Sequence, residues 1–149
     1  MKIRHLLPAF VAVILLAACG KTDSKEEIIP KTADYTGTVT VLYQGSPFDN
    51  ENIEVNFTPS EDGTTASITI YKIRFVPQMP VTIDVTIPNV RLNVTEDAIL
   101  LQCDRAVPLA MGGEYPRYTV TALSGSLKGD ALEFSLNFGD YPTSFRGVK

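Results

Sequence analysis

The sequence predicts an all-β fold of eight or nine antiparallel strands, arranged either as a sandwich or as an up-and-down barrel. From Tyr35 onward, apolar and polar residues alternate with a period of two, which is the pattern of half-buried strands. Short turns rich in Gly, Asp and Asn separate the alternating segments. No stretch repeats its apolar residues at the spacing of an amphipathic helix, so we expect residues 35–149 to contain strands and turns.

The first half of this region contains two turn signals and one shift of the pattern. Glu61-Asp62-Gly63 forms the first turn, because Gly takes a positive φ angle at little cost. Pro88-Asn89 interrupts the pattern a second time. Between them, past Tyr71, the apolar positions move by one residue to Ile73 and Phe75, which predicts a β-bulge that bends the strand. The alternating segments are residues 39–43, 53–57, 68–70, 81–87 and 90–94.

The second half ends in the clearest alternation of the sequence, residues 132–138, which follows a Gly129-Asp130 turn. An apolar run before it contains Cys103, which we expect to be buried as a small, unreactive apolar side chain. Residues 104–117 are the longest irregular stretch, and they are expected to form either a mobile rim at a barrel mouth or an ordinary surface loop. The remaining segments are residues 118–122, 123–127 and 144–148.

The N-terminus has the pattern of a bacterial lipoprotein signal. Lys2 and Arg4 precede an apolar run, residues 6–16, that is shorter than the roughly 20 residues of a membrane span. The run closes on Leu16-Ala17-Ala18-Cys19-Gly20, in which small residues before the cysteine admit a signal peptidase. Cys19 is therefore the predicted lipidation site, where a thioether-linked lipid holds the mature chain to a membrane. The alternative is an ordinary secretory signal in which Cys19 has no such role.

The predicted organisation is a signal peptide, residues 1–18, a lipidated and flexible tether, residues 19–34, and one domain, residues 35–149. The tether is mostly polar and has no sustained period. Gly20, instead of Asp, after the cysteine favours export to the outer membrane. Lys25-Glu26-Glu27 resembles a signal for the outer face of that membrane, and a solvated charge run explains it equally well. We expect a cell-envelope protein, lipid-anchored in the outer membrane, on either its periplasmic or its surface face.

Composition excludes several classes of function. Signal cleavage takes away Lys2 and Arg4, so a net charge of −4 becomes −6, and an acidic chain without a basic cluster is a poor partner for nucleic acid. Cleavage also removes His5, the single histidine of the sequence. Without imidazole, and with Cys103 as its one unmodified thiol, the mature chain lacks the residues of His-based triads and of most zinc sites. We therefore predict no enzyme, no metal and no cofactor.

Three segments resemble those of the calycin-like β-barrel lipoproteins of Gram-negative gut anaerobes. They are Tyr35-Thr-Gly-Thr-Val-Thr-Val, Ile68-Thr-Ile-Tyr-Lys-Ile-Arg-Phe75 and Leu123-Ser-Gly-Ser-Leu-Lys-Gly-Asp-Ala-Leu-Glu-Phe134. The resemblance covers roughly residues 35–149 and implies a small closed barrel of the lipocalin–streptavidin type. True lipocalins carry Gly-x-Trp on the first strand, where this chain has Gly37-Thr38-Val39. The predicted fold is thus a small antiparallel up-and-down β-barrel, calycin-like, with eight or nine strands.

The candidate ligand-binding residues are aromatic side chains, mostly on the apolar side of their strands. In a small barrel such residues either fill the interior or line a pocket for an apolar ligand. We predict a non-enzymatic binding module for a small apolar or amphipathic ligand, in a pocket without charged side chains. The alternative is a structural or interaction protein of the cell envelope, with a solid barrel core and an envelope protein as its partner. The candidate residues are Tyr43, Phe57, Phe75, Tyr118 and Phe138.

Overall fold

The computed structural model describes residues 28–149, which form ten strands. Cys19, the predicted signal peptide and most of the predicted tether lie outside the described residues. The first strand begins at Ala33, near the predicted start of the domain. The strands are β1 (Ala33–Tyr43), β2 (Ser46–Pro59), β3 (Thr65–Ile73), β4 (Ile83–Val94), β5 (Ile99–Ala106), β6 (Leu109–Ala110), β7 (Gly113–Glu114), β8 (Val120–Lys128), β9 (Ala131–Phe138) and β10 (Tyr141–Val148).

Eight of these ten strands close into an antiparallel barrel. Around the barrel the order is β1, β2, β3, β4, β5, β8, β9 and β10, and β10 pairs with β1. Each barrel strand therefore lies beside the next barrel strand in the sequence. The short strands β6 and β7 form a hairpin, inserted between β5 and β8, that pairs with the start of β4 through Val85 and Ala110. The predicted small up-and-down β-barrel is confirmed.

The connections between strands define two ends of the barrel. One end contains residues 28–32, 60–64, 95–98, 129–130 and 149. We call it the tethered end, because residues 28–32 belong to the predicted tether. The opposite end contains residues 44–45, 74–82, 107–119 and 139–140, and we call it the distal end. The two-residue turn at the start of β2 needs positive φ angles at both positions, and Gln44 and Gly45 have 52° and 78°. Because the two long connections share the distal end, most of the residues outside strands in the range 28–149 lie at the end opposite residues 28–32.

Four β-bulges bend the barrel strands, and each contains a residue other than glycine with a positive φ angle. At the β3 bulge the register against β4 shifts between Ile70 and Ile73, which confirms the bulge predicted there. The Lys72 backbone N–H at this bulge donates a hydrogen bond of 3.0 Å to the Asp84 carboxylate. Asp84 thus satisfies a donor that the strand ladder leaves free. The four residues are Asn52, Lys72, Asn89 and Ala122.

Side chains from all eight barrel strands fill the interior. Phe134 is 3% exposed, so the inward side of residues 132–138 is the apolar side, as predicted. Cys103 is a free thiol, buried with the other inward side chains of β5. Branched and aromatic side chains thus pack the space that a ligand would occupy in a hollow barrel. The largest fully buried side chains are Tyr35, Phe57, Phe75, Phe138, Ile68, Ile70, Ile73, Ile87, Leu101, Leu123, Leu132 and Val39.

Two tyrosines, the buried Tyr35 and the half-buried Tyr118, predict that stability falls at alkaline pH. Burial raises the pKa of Tyr35, and the negative charge of Asp130 raises it further. Burial also raises the pKa of Tyr118, although Arg117 opposes the shift. Each of these tyrosines has a higher pKa in the folded protein than in the unfolded chain, where it is about 10. Its neutral form therefore stabilises the fold fully below about pH 10, and this contribution is lost as the pH rises through the pKa of the folded state. We expect the free energy of unfolding, measured in urea, to fall from about pH 9 to about pH 11.

The control for this prediction is Tyr35→Phe, which keeps the ring and removes the ionisable hydroxyl. This variant is expected to lose less stability than the unmodified protein over the same pH range, because one raised pKa no longer contributes. The absorbance of tyrosinate, followed in the folded protein, should show one late-titrating group fewer. An unchanged dependence on pH in Tyr35→Phe would contradict the assignment.

Candidate functional site

The candidate site is a cluster of five aromatic side chains at the distal end, which we call the distal aromatic cluster. Phe75, at its centre, stacks on Tyr118 with 4.2 Å between ring centroids and meets Phe138 edge-on at 5.0 Å. Tyr141 stacks on Phe75 at 6.1 Å, and Tyr115 lies 5.2 Å from Tyr118. The two phenylalanines are fully buried, whereas the three tyrosines are half-buried. The cluster therefore closes the interior and presents tyrosine surface to solvent.

Elements far apart in the sequence bring this cluster together. Phe75 follows β3, and Phe138 ends β9 before the Gly139–Asp140 turn. Tyr118 ends a short 3₁₀ turn, Pro116–Tyr118, and the hydroxyl of Thr119 donates a hydrogen bond of 2.6 Å to the carbonyl of Pro116. The backbone N–H of Gly139 also donates to the carbonyl of Thr119, at 2.9 Å. The β9–β10 turn thus holds the 3₁₀ turn against the barrel and fixes the position of Tyr118.

Three of the five predicted site residues lie in the distal aromatic cluster: Phe75, Tyr118 and Phe138. Phe57 is fully buried in the half of β2 nearer the tethered end, opposite Ala33 and Ile68. Tyr43 is half-buried beside the β1–β2 turn, where its hydroxyl accepts a hydrogen bond of 3.3 Å from Gln44. The structure therefore does not bring Phe57 or Tyr43 together with the other three.

Sequence reasoning missed Asn50, Tyr115 and Tyr141. Asn50 is a buried polar residue whose side-chain oxygen accepts from the backbone N–H of Arg74 at 2.9 Å and whose amide donates to the Arg74 carbonyl at 3.1 Å. It thereby joins β2 to the chain beyond β3, where the strand ladder has ended. The alternating pattern of the sequence does not predict that Asn50 is buried. A bulge separates Asn50 from the inward residues Ile53 and Val55, so its even position places it on the outward side of the pattern. Tyr141 could have been found, since it directly follows a turn and begins an inward row.

The two long distal connections, which supply Phe75, Tyr115 and Tyr118, also carry exposed apolar side chains. Met111, at the tip of the β6–β7 hairpin, is 69% exposed, and Leu109 in the same hairpin is 42% exposed. Val81, in the connection before β4, is 61% exposed. The guanidinium of Arg117 lies 5.6 Å from the centroid of the Tyr118 ring, a cation–π arrangement. Together with the three tyrosines of the cluster, these four residues form the distal patch.

Four depressions on the protein surface have volumes of about 480–810 Å³. Three of them adjoin on the outer wall, over strands β4, β5, β8, β9, β10 and β1. The fourth, of about 500 Å³, lies at the tethered end between Ile28 and Lys149. Phe57, Phe75 and Phe138 line none of these four.

Two ion pairs lie on the surface of the described residues. Arg146 pairs with Glu133 at 3.4 Å, and Arg91 lies 3.9 Å from Asp104. Hydrogen bonds from Ser60 and Thr64 lower the pKa of Asp62, which organises the loop between β2 and β3. Among residues 28–149, no three His, Cys, Asp or Glu side chains are placed to share a metal ion. No helix within that range has the length and apolar character needed to cross a membrane.

Comparison with known proteins adds no relative. No family model matches the chain, and neither a curated protein nor a solved structure matches it.

Proposed function

We propose that this chain is a lipid-anchored protein of the outer membrane, of the calycin-like kind, that acts as a non-enzymatic binding module. Its partner is another protein of the cell envelope, bound by the distal patch. The signal pattern that ends at Cys19 supports the lipid anchor, and the resemblance of residues 35–149 supports the family. Residues 28–32, which precede β1, lie at the opposite end of the barrel, so a barrel anchored through them would present the distal patch to other proteins.

The observation that carries the proposal is the composition of the distal patch. Tyrosine, methionine and arginine are the side chains that protein interfaces favour, and tyrosine and arginine are common among the residues that dominate binding energy. Here Tyr118 packs against Tyr115 and Tyr141 and lies under the Arg117 guanidinium, and the exposed Met111 belongs to the same distal connection as Tyr118. The rigid barrel below them is filled, so little conformational entropy is lost when these side chains become covered.

The test is photo-crosslinking of the full-length lipoprotein in its own membrane. A photo-reactive phenylalanine analogue at Met111 is expected to give a discrete adduct with one envelope protein, because this side chain projects from the distal patch. The same analogue at Thr58, exposed in the half of β2 nearer the tethered end, is the control and should give none. Leu109→Asp should abolish the adduct at Met111, since it places a charge within the apolar contact.

A second candidate function is the binding of a small apolar or amphipathic molecule beneath the two long distal connections. The position of Tyr118 favours this second function. Tyr118 belongs to a 3₁₀ turn outside the barrel strands, and its displacement would expose the face of the Phe75 ring to a ligand. Native mass spectrometry of the protein purified from its host would then find a retained ligand. A retained ligand without any crosslinked partner would favour this function over the first, and an adduct without a retained ligand would favour the protein partner.

A further inference from the structure

The outer wall of the barrel carries a continuous groove that crosses six strands. The three adjoining depressions have volumes of about 510, 810 and 480 Å³. The first two share Ser124 and Gly125, and the second and third share Ala122. The first and third share Thr40, Ser135 and Ser144. The three are thus one groove, which runs across the strands on the side wall of the barrel, apart from the distal patch.

The strand register places a row of polar side chains along this groove. Ser124 is opposite Ser135, Ser135 opposite Ser144, and Ser144 opposite Thr40. Gln102 extends the row on the other side, opposite Ser124. All five face outward, because the residues that alternate with them point into the core. With strands about 4.8 Å apart, the row is about 19 Å long.

Three of the four hydroxyls of this row are free to bind a ligand. Within residues 28–149, the side chains of Ser124, Ser135 and Ser144 make no hydrogen bond to another protein group, and each can both donate and accept. The hydroxyl of Thr40 donates to the Asp49 carboxylate at 2.7 Å, which orients it at one end of the row. Small side chains in these positions also keep the groove open.

Paired charges make the groove electrically neutral. Arg146 pairs with Glu133 near one end, and Arg91 lies close to Asp104 near the other. Each guanidinium therefore has a carboxylate beside it, so the groove offers no unbalanced positive field to a polyanion. The exposed side chain of Leu100 adds an apolar contact between the polar positions.

The floor of the groove is rigid. A side chain at Gly125 would collide with the carbonyl oxygen of Glu133 and with the Cα of Phe134, so β8 and β9 are held in close approach there. At the other side, a side chain at Gly37 would collide with the backbone of Arg146 and Gly147, and β1 is held against β10 in the same way. A ligand therefore meets hydroxyls whose spacing is fixed before binding, which reduces the entropy lost on binding.

We propose that this groove binds an extended, uncharged oligosaccharide that lies across the strands. A row of free hydroxyls can exchange hydrogen bonds with sugar hydroxyls, and the spacing of the strands is close to the length of one pyranose unit. Leu100 and Ala122 can contact the C–H faces of the rings. Neutrality excludes attraction to a nucleic acid.

The experiment is titration of the full chain with three uncharged hexasaccharides: cellohexaose, β-1,4-mannohexaose and fully N-acetylated chitohexaose. Amide chemical shifts are expected to change along the row, at Ser124, Ser135 and Ser144, with at least one of the three sugars. Ser135→Arg fills the middle of the groove and should weaken that binding by about tenfold or more, which corresponds to ~1.4 kcal/mol. Ser67→Arg, at an outward serine of β3 outside the groove, is the matched control and should bind normally.

Ser135→Val is a second variant that removes the hydroxyl but adds little volume, and it is expected to weaken binding about threefold while circular dichroism stays unchanged. The proposal is overturned if none of the three sugars shifts any amide of the row, if Ser135→Arg and Ser67→Arg bind equally well, or if the shifts fall on the distal patch. Leu109→Asp distinguishes this proposal from the proposed protein partner, because it should abolish the crosslink and leave sugar binding intact.

Discussion

Replacing Phe75 with alanine is expected to lower the free energy of unfolding by about 3–5 kcal/mol. The ring is fully buried and contacts Tyr118, Phe138 and Tyr141, so its removal leaves a cavity that the rigid barrel end cannot close. Equilibrium unfolding in urea, followed by circular dichroism of the strands, measures the loss. Phe75→Leu keeps most of the volume and should cost less than about 1.5 kcal/mol.

A double-mutant cycle separates the aromatic contact from simple burial. Phe75→Leu and Tyr118→Leu, alone and together, should show a coupling of about 0.5–1.5 kcal/mol, because the two rings stack at 4.2 Å between centroids. A loss below about 1 kcal/mol for Phe75→Ala, or no coupling between the two positions, would mean that the cluster does not close the distal end. Proteolysis within residues 107–119 should accelerate in Phe75→Ala, since Tyr118 loses the ring against which it packs.

The fold could be predicted because its determinants are local. A period of two fixes which side of each strand is apolar, and Gly129 or Gly63 marks a place where the chain must turn. The shift of pattern from Ile70 to Ile73 even located one bulge correctly. The bulge at Ala122 was harder to predict, because Val120 followed by Leu123 fits a bulge at either intervening residue. The alternation of residues 118–122 places Ala122 on the inward side with Val120, whereas in the structure it faces outward.

Closure of the barrel and the state of its interior depend on contacts that no local pattern contains. The pairing of β1 with β10 joins residues more than a hundred positions apart in the sequence. The two strands are not connected by a turn, so no turn residue indicates that they pair. Inward parity predicted that Phe57 and Phe138 would be buried, yet parity alone does not say whether the inward side chains fill the interior or line a void. That depends on the summed volume of every inward residue and on barrel diameter, which closure sets.

The same limit applies to the candidate site. The sequence predicts Phe75, Tyr118 and Phe138 as candidates, but their contact with one another depends on a 3₁₀ turn fixed by the neighbouring β9–β10 turn. The groove on the outer wall is still less visible in the sequence, because Ser124, Ser135 and Ser144 align only through the register of three strand pairs. Because side chains fill the interior, a binding site lies at the end of the barrel or on its outer wall, not along the barrel axis.

Replacing Cys19 with alanine is expected to remove lipid labelling completely and to release the protein from the membrane fraction. The measurement is metabolic labelling with an alkyne fatty acid, followed by membrane fractionation. Lipid chains supply about 0.8 kcal/mol per buried methylene group, and two or more chains hold a protein stably, whereas the acidic barrel has no basic cluster to replace them.

Cys103→Ala is the matched control for this experiment, since it removes the other thiol of the chain. Cys103 is buried within β5, where burial raises the pKa of its thiol, so neither a lipid nor an acyl transferase reaches it. We expect Cys103→Ala to keep its label and its place in the membrane. If Cys19→Ala still labels or still sediments with membranes, or if Cys103→Ala loses its label, the anchor is not at Cys19, and the barrel then has no fixed end from which the distal patch could face outward.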